Sequence, residues 1–337
     1  MLLSIQGLSS TYRTSAGDLR AVDALDLEIG AGESVGLIGE SGCGKTTVVK
    51  SVLGLLEPNG RIDAGTIRFQ GEDLLTLREG RFRRLLWDQI SFIPQDAMDA
   101  LNPVYKVSTQ IMEAVKCHRS FSERRGGVYR KRAAALFERV GLDASCLGVF
   151  PHQLSGGMAQ RAIIAMALIL NPALVIADEP TTALDVVNQR KILNIFKWFQ
   201  QEKRLSLVLV THDIGVVSES CDTVCVLFAG RVIEKGPVRD VLRQPLHPYT
   251  LYLVRTLNAF QGRGKIHRQP MPIPEDRTLN TTRPRGCCFQ DRCPYRSRIC
   301  ARETPVPAQH GPAGHLVACH RVEDIRRSTN PARGNTR

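Results

Sequence analysis

The chain has 337 residues, 43% of them hydrophobic, which is enough for one large domain with an appendage or for two ordinary domains. No apolar run approaches the roughly 18 residues that cross a bilayer, and the N-terminus lacks the pattern of a signal peptide. The formal charge of +12 is scattered and not interleaved with stacking aromatics, which argues against nucleic-acid binding. It fits a solvated basic face or a surface near anionic lipid. We therefore expect a cytoplasmic protein that reaches a membrane only through a partner.

Short strand-like runs alternate with helix-like segments over residues 1–256, which predicts an α/β sheet with crossover helices. Segments of alternating polarity predict an antiparallel sheet near the N-terminus, at 2–8, 21–29 and 65–69. Continuous apolar runs predict strands buried on both faces, at 34–38, 90–93, 173–177, 206–211 and 223–228. A charged, helical insertion is predicted at about 96–163.

The strongest local signal is GESGCGKTT at 39–47, which fits the phosphate-binding pattern G-x-x-x-x-G-K-[ST] between a strand and a helix. Its glycines let backbone N–H groups point at phosphate oxygens, and the helix start adds partial positive charge. Lys45 is predicted to reach the β- and γ-phosphates, and the Thr46 hydroxyl to bind Mg²⁺. The predicted ATP-binding residues here are Gly39, Glu40, Ser41, Gly42, Cys43, Gly44, Lys45, Thr46 and Thr47.

Two acidic residues, Asp178 and Glu179, end a buried apolar strand. Nucleotide hydrolysis needs a carboxylate near Mg²⁺ and often a second one that orients the attacking water. We therefore predict that Asp178 holds the metal and that Glu179 acts on the water. Together with the phosphate loop, this pair predicts an NTPase.

A third motif, LSGGMAQR at 154–161, resembles the signature of ABC ATPases. Ser155 and the glycines after it open a helix, so hydroxyl and backbone donors would point at an anion. In that family the anion is the γ-phosphate of ATP held by an opposite subunit, and two subunits enclose two nucleotides. The resemblance implies such contacts across the dimer for Ser155, Gly156, Gly157, Gln160 and Asp185.

Further residues follow the family's order and take their roles from the resemblance. Gln95 resembles the glutamine that senses Mg²⁺ and contacts the transmembrane partner, and His212 resembles the switch histidine at the γ-phosphate. Tyr12 lies where the family stacks an aromatic ring on adenine. The implied catalytic residues are Glu179, His212 and Lys45, and the implied Mg²⁺ site uses Thr46, Gln95 and Asp178.

A narrower resemblance, to the dipeptide/oligopeptide/nickel branch, is based on segments 100–104, 246–250, 270–274 and 286–320. It implies two permease subunits, a second, related ATPase subunit in a heterodimer, and an extracytoplasmic substrate-binding protein. It also implies a peripheral place on the cytoplasmic face of the inner membrane. Nickel importers generally lack the cysteine-bearing extension, so peptide import is favoured and nickel or another small solute is the alternative. A soluble ABC ATPase acting on DNA or the ribosome is the rival from another class.

Five of the ten cysteines lie between positions 287 and 319. Cys287, Cys293, Cys300 and Cys319 offer four thiolates, which suits Zn²⁺ or an iron–sulfur cluster, with a reduced, metal-free set as a third possibility. The resemblance favours a [4Fe–4S] cluster with a structural role. The predicted domains are a nucleotide-binding cassette at 1–256, an irregular cysteine-rich extension at 257–325 and a disordered tail at 326–337.

Overall fold

The computed structural model describes residues 1–120, 127–182, 184–260, 285–311 and 314–329. The chain divides into two compact units, each assembled from several stretches. The first comprises Met1–Leu3, Glu28–Ser34 and Arg68–Thr211, and the second Ser4–Leu27, Val35–Ile67 and His212–Arg337. The predicted family segment at 270–274 and positions 330–337 of the predicted tail lie outside the described residues.

The strands, numbered in chain order, are β1 Leu3–Thr14, β2 Gly17–Ile29, β3 Ser34–Ile38, β4 Gly60–Phe69, β5 Glu72–Asp73, β6 Ile90–Ile93, β7 Leu174–Asp178, β8 Ser206–Val210, β9 Thr223–Phe228, β10 Arg231–Pro237, β11 Ala308–Gln309 and β12 Leu316–Val317. The helices are α1 Lys45–Leu53, α2 Glu79–Leu85, α3 Ala97–Ala100, α4 Val107–His118, α5 Val128–Arg139, α6 Gly156–Ala167, α7 Val186–Lys203, α8 Ile214–Ser220, α9 Val238–Arg243, α10 Pro248–Phe260 and α11 Val322–Thr329. Within the described ranges, no helix combines the length and the apolar character that a bilayer span requires.

The first unit contains three parallel strands in the order β8, β7, β6. Leu174 of β7 lies opposite Ile90 on one side and Ser206 on the other. Every residue of β7 and β8 is buried, as expected of strands covered on both faces. The predicted α/β class is confirmed, and helices α3 to α5 with most of α6 occupy the predicted helical insertion.

The second unit holds two sets of strands. One runs in the order β11, β12, β10, β9, β3, with β3 and β9 parallel and the other neighbours antiparallel. The other has the order β2, β1, β4 and includes the three segments for which alternating polarity predicts strands. The structure extends β1 to Thr14 and begins β4 at Gly60, so these strands are longer than the sequence pattern indicates.

The extension after α10 is more regular than the sequence predicts. Strands β11 and β12 continue the sheet beside β10, with Val317 opposite Glu234. Helix α11 follows and reaches Thr329, so residues that the sequence assigns to the disordered tail begin in a helix. Val322 and Ile325 are buried on one face of this helix at a spacing of three residues, which accounts for its docking.

A buried carboxylate joins this extension to the body of the second unit. Glu234 on β10 is 0% exposed and accepts hydrogen bonds from the backbone N–H groups of Leu246 (2.8 Å) and His247 (2.9 Å). His315 Nε2, just before β12, lies 2.8 Å from the same carboxylate. A buried carboxylate is tolerated only where its oxygens are bonded in this way. Glu234 therefore connects β10, the start of α10 and the extension.

Replacing Glu234 with Ala is expected to lower the free energy of unfolding by about 3 kcal/mol, because two buried N–H groups and His315 lose their acceptor. Denaturant unfolding followed by circular dichroism measures the change. Glu323→Ala is the control, because Glu323 is an exposed position of α11 whose carboxylate pairs with Arg326, and it should change stability by less than about 0.5 kcal/mol. Equal losses in the two variants would contradict the assignment.

Candidate functional site

The phosphate loop lies between β3 and α1 in the second unit and needs glycine at three positions. Gly39, Gly42 and Gly44 have φ angles of +157°, +77° and +107°. A Cβ atom on Gly39 would lie 2.4 Å from the Leu227 carbonyl oxygen, and one on Gly44 would lie 2.5 Å from the Ala21 carbonyl oxygen. The positive φ angles at all three positions, and the lack of space at Gly39 and Gly44, exclude residues that carry a side chain.

Lys45 is the first residue of α1, and its ammonium group lies inside the loop. The Nζ atom donates to the carbonyl oxygens of Gly39 (2.7 Å) and Glu40 (2.9 Å), and the residue is only 7% exposed. The next residue, Thr46, is exposed, and Thr47 is half-buried. The loop thus places a cation beside a helix N-terminus, an arrangement that favours anions.

Contacts from distant segments hold the first part of this loop. The backbone N–H of Glu40 donates to the Tyr249 hydroxyl (2.8 Å), and the Glu40 carboxylate is paired with Arg292. Cys43 is buried beside Lys45, with 3.8 Å between Sγ and Nζ, and burial raises the pKa of its thiol. Tyr249 and Arg292 were not predicted as site residues, since they lie 209 and 252 positions from Glu40.

Tyr12, on β1, is tied to the same region of the second unit. Its hydroxyl bonds to the side chains of Thr47 and Glu57, and burial raises its pKa. Its ring packs against Gly60, where an added Cβ would come within 2.7 Å of Tyr12 Cε1. The predicted stacking of this ring on adenine stays a prediction.

In the first unit, the ends of β6 and β7 bring Gln95 to Glu179. Gln95 Nε2 donates to Glu179 Oε2 over 3.3 Å, and the Thr182 hydroxyl donates to the same oxygen over 2.9 Å. Thr182 is a contact that the sequence patterns did not indicate. Asp178, the last residue of β7, is 4% exposed, whereas the adjacent Glu179 is half-buried. The two carboxylates therefore occupy different environments.

The backbone sets the direction of the Glu179 side chain. This residue has a φ of +47°, in the left-handed region that side chains rarely adopt, and its N–H donates to the Val210 carbonyl (2.8 Å). Such a conformation persists only where its surroundings hold it, and it is frequent at functional sites. The structure therefore gives Glu179 a constrained position at the strand end.

Helix α6 begins at the predicted signature. The Ser155 hydroxyl accepts from the Met158 N–H over 3.3 Å, as an N-cap does, and both Ser155 and Gly156 are exposed. Gln160 is different: it is only 6% exposed, and its Nε2 has no hydrogen-bond partner among the described residues. Ser155 and Gly156 are thus accessible to a second molecule, whereas the Gln160 side chain points into the core.

The remaining predicted residues are exposed and lie at element ends. The Asp185 carboxylate caps α7 by accepting from the N–H groups of Val187 (3.0 Å) and Asn188 (2.9 Å), and the Asn188 bonds lower its pKa. His212 directly follows Thr211 and is exposed. Their roles toward a nucleotide stay predictions.

The four predicted cluster cysteines lie near one another in the second unit. Cys287 and Cys300 are buried, and burial together with neighbouring thiolates raises the pKa of Cys293 to about 11 and of Cys319 to about 12. A hydrogen bond from Cys288 lowers the pKa of Cys287 to about 6. No three His, Cys, Asp or Glu side chains in the described part of the chain are grouped to hold a metal ion. This geometry does not support the predicted [4Fe–4S] cluster.

Two protein-family models match the sequence. The model described as "ABC transporter" matches residues 22–182, and the model described as "Oligopeptide/dipeptide transporter, C-terminal region" matches residues 233–300. Together they include the phosphate loop, the signature, both acidic residues and the first three predicted cluster cysteines.

Curated relatives extend the similarity over nearly the whole chain. The dipeptide transport ATP-binding protein DppD of Escherichia coli is 40% identical over 90% of this chain and 92% of its own length. The oligopeptide transport ATP-binding protein OppD of Salmonella typhimurium is 39% identical over 96% of this chain and 95% of its own.

Solved structures give the same fold. A dimeric bacterial ABC transporter cassette, MJ0796, matches with a TM-score of 0.64 at 28% identity, over 71% of this chain and 99% of that one. The cbiO1 protein of Clostridium perfringens, part of an ABC transporter complex, matches with a TM-score of 0.60 at 28% identity, over 78% and 96%.

Replacing Gly39 with Ala is expected to weaken ATP binding at least tenfold, since the added Cβ collides with the Leu227 carbonyl and displaces the carbonyl that holds Lys45. Titration with a fluorescent ATP analogue measures the affinity. Gly71→Ala is the matched control, because Gly71 also has a positive φ (+88°) but no atom within 4 Å of an added Cβ. Equal affinities of the two variants would contradict the steric explanation.

Proposed function

The chain belongs to the ATP-binding proteins of ABC transporters, in the dipeptide and oligopeptide branch, and we propose that it hydrolyses ATP to drive peptide import through a membrane permease. The observation that carries this proposal is similarity along the whole chain: the cassette and the C-terminal region match together, and full-length relatives are named as dipeptide and oligopeptide transport proteins. The observed phosphate loop supplies the chemistry that such a protein needs.

We assign the chemical roles from the family resemblance, and the local geometry supports those of Lys45 and Glu179. The Lys45 ammonium and the N-terminus of α1 bind the phosphates, and the Lys45 contacts to Gly39 and Glu40 set its position beforehand. Glu179, turned by its left-handed backbone and bonded by Gln95 and Thr182, orients the attacking water and takes its proton. His212 donates to the γ-phosphate.

A divalent cation completes this chemistry. Mg²⁺, when bound, neutralises negative charge on the phosphate oxygens. The residues that would hold it are the ones the family resemblance implies, namely Thr46, Gln95 and Asp178. Oxygen donors of these types suit Mg²⁺.

The working unit we propose is a dimer of ATPase subunits, as in the dimeric cassette MJ0796. Exposed Ser155 and Gly156 at the start of α6, with Gly157, contact the γ-phosphate of ATP held by the partner, and Asp185 signals between the two sites. The resemblance also implies such a contact for Gln160, whose side chain is only 6% exposed in the single chain. The partner is a related subunit in a heterodimer.

The dimer sits on two permease subunits at the cytoplasmic face of the inner membrane, and an extracytoplasmic binding protein delivers the peptide. None of the described helices is long and apolar enough to span a membrane. The family resemblance implies that the ATPase is attached to the membrane through the permease. Peptide specificity then resides in the other subunits. The names of the relatives favour peptides over nickel as the transported substrate.

For the cysteine-rich segment we propose that Cys287, Cys293, Cys300 and Cys319 bind a [4Fe–4S] cluster. Support comes from the resemblance of this segment to the branch's extension and from the proximity of the thiols, since Cys287 and Cys300 add to the effect of burial in raising the pKa of Cys293 and of Cys319. Because these sulfurs are not grouped as a metal site in the described geometry, cluster binding requires them to move closer together.

Protein purified without oxygen is expected to carry about four iron atoms per chain and to absorb near the charge-transfer band of iron–sulfur proteins. Cys293→Ser should lose this iron, and Cys288→Ser, the adjacent thiol outside the set, should retain it. Elemental analysis and visible absorption measure both. Zinc in place of iron, or no metal at all, would contradict the cluster.

Glu179→Gln is expected to bind ATP with little change but to lower hydrolysis at least a hundredfold, because an amide cannot accept the proton of the water. Together with its partner ATPase subunit, the variant should form an ATP-dependent dimer, seen by light scattering, and it should not restore uptake of labelled dipeptides in cells lacking the gene. Glu219→Gln, an exposed carboxylate on α8, is the control and should behave as wild type. Normal hydrolysis by Glu179→Gln would refute the role of Glu179, and uptake that never depended on the gene would refute peptide transport.

A further inference from the structure

Glu40, the second residue of the phosphate loop, is held at three separate groups. Its carbonyl oxygen accepts from Lys45 Nζ (2.9 Å), its N–H donates to the Tyr249 hydroxyl (2.8 Å), and its carboxylate pairs with Arg292. Two of the three partners come from the C-terminal part of the chain. The start of the loop is therefore built partly by residues outside the nucleotide-binding motifs.

The ion pair between Glu40 and Arg292 has a fixed geometry. Arg292 Nη1 and Nη2 donate to the two carboxylate oxygens over 2.8 and 2.7 Å, so the planar fork of the guanidinium meets both acceptors. Paired bonds of this kind set orientation as well as distance, which a single ammonium contact does not do. The Arg292 side chain is 19% exposed and that of Glu40 is 38% exposed, so solvent screens the pair only in part.

Aromatic rings hold the arginine in place. The guanidinium lies over the rings of Phe228 and Phe289, at 5.4 and 5.9 Å from their centroids. Tyr249, which bonds the Glu40 N–H, packs against the same two rings at 5.0 and 5.7 Å. One aromatic cluster, formed by Phe228, Tyr249 and Phe289, thus orients both contacts to Glu40.

The pair also affects charge at the site. The Glu40 carboxylate belongs to a loop that receives the negative phosphates, and like charges in such a place oppose binding. Arg292 neutralises this carboxylate and directs it toward the extension. Residue 40 supplies one of the two carbonyl oxygens that hold Lys45, so the position of Glu40 also influences the position of the ammonium.

We infer that Arg292 of the cysteine-rich extension is a positioning residue for ATP: through its bidentate pair with Glu40 it holds the phosphate loop in the nucleotide-binding conformation and cancels a repulsive charge there. The inference rests on the proposed ATPase function and adds to it a direct role for the extension in nucleotide affinity. Arg292 itself does not contact nucleotide in this account.

Arg292→Ala in the full-length protein is expected to raise the Kd for a fluorescent ATP analogue and the KM for ATP by roughly tenfold, with kcat at saturating ATP changed less than about twofold. Thermal unfolding of the same samples checks that the fold is kept. Arg296→Ala is the matched control, because Arg296 lies in the same segment but pairs with Asp291 at the surface. Its affinity for ATP should equal that of wild type.

A double-mutant cycle separates the pair from general effects of truncation. Glu40→Gln with Arg292→Ala should be no weaker in ATP binding than Arg292→Ala alone, because one interaction is lost in both cases. Arg292→Lys, which keeps the charge but not the fork, should fall between wild type and Arg292→Ala. If Arg292→Ala does not fold, Arg292→Lys and Glu40→Gln provide the affinity readout.

Wild-type affinity in Arg292→Ala, or fully additive losses in the double variant, would overturn the inference while leaving the ATPase assignment intact. Failure of the wild-type protein itself to bind ATP would instead reject the proposed function. A loss of kcat without a change in KM would also overturn the inference, since a positioning role at the phosphate loop acts on affinity.

Discussion

The site depends on how the chain accommodates one cation, the Lys45 ammonium. A buried ammonium group needs acceptors, and this structure supplies them from the carbonyl oxygens of Gly39 and Glu40. Those carbonyls reach Nζ only because the loop passes through left-handed conformations at Gly39, Gly42 and Gly44 and approaches neighbouring backbone closely. The same folding back leaves the start of α1 available for an anion. The conformation of this loop, the burial of the Lys45 charge and the capacity to bind an anion therefore depend on one another.

The elements that the sequence predicts best are those whose local pattern is dictated by burial. Strands β3, β7 and β8 are covered on both faces, so every position except Asp178 at the end of β7 is apolar or small, and each strand can be recognised from its own sequence. The glycine and lysine positions of the phosphate loop are equally easy to recognise in the sequence, because the loop geometry permits few residue types there. Motif order then identifies the family. In these regions the local sequence already contains the physical reason for the structure.

The features that the sequence does not reveal are those formed by pairs of distant residues. Nothing near Glu40 indicates Arg292, and nothing near Glu234 indicates His315, because a single charged residue has no periodicity. The regular structure of the extension is not predicted from the sequence for a similar reason. Strand β12 is only two residues long and is stable through its pairing with β10. Gln160 shows a further limit of motif reading, because the motif implies contact with a partner but does not indicate that the side chain is only 6% exposed.

The bond between Arg292 and Glu40 has a consequence for the order in which the protein matures. The two residues are separated by 252 positions, so during translation the phosphate loop leaves the ribosome long before the arginine that holds it. The loop gains this support only when the cysteine-rich segment has emerged and packed. A nascent chain therefore passes through a stage in which Lys45 is present but its loop lacks one support.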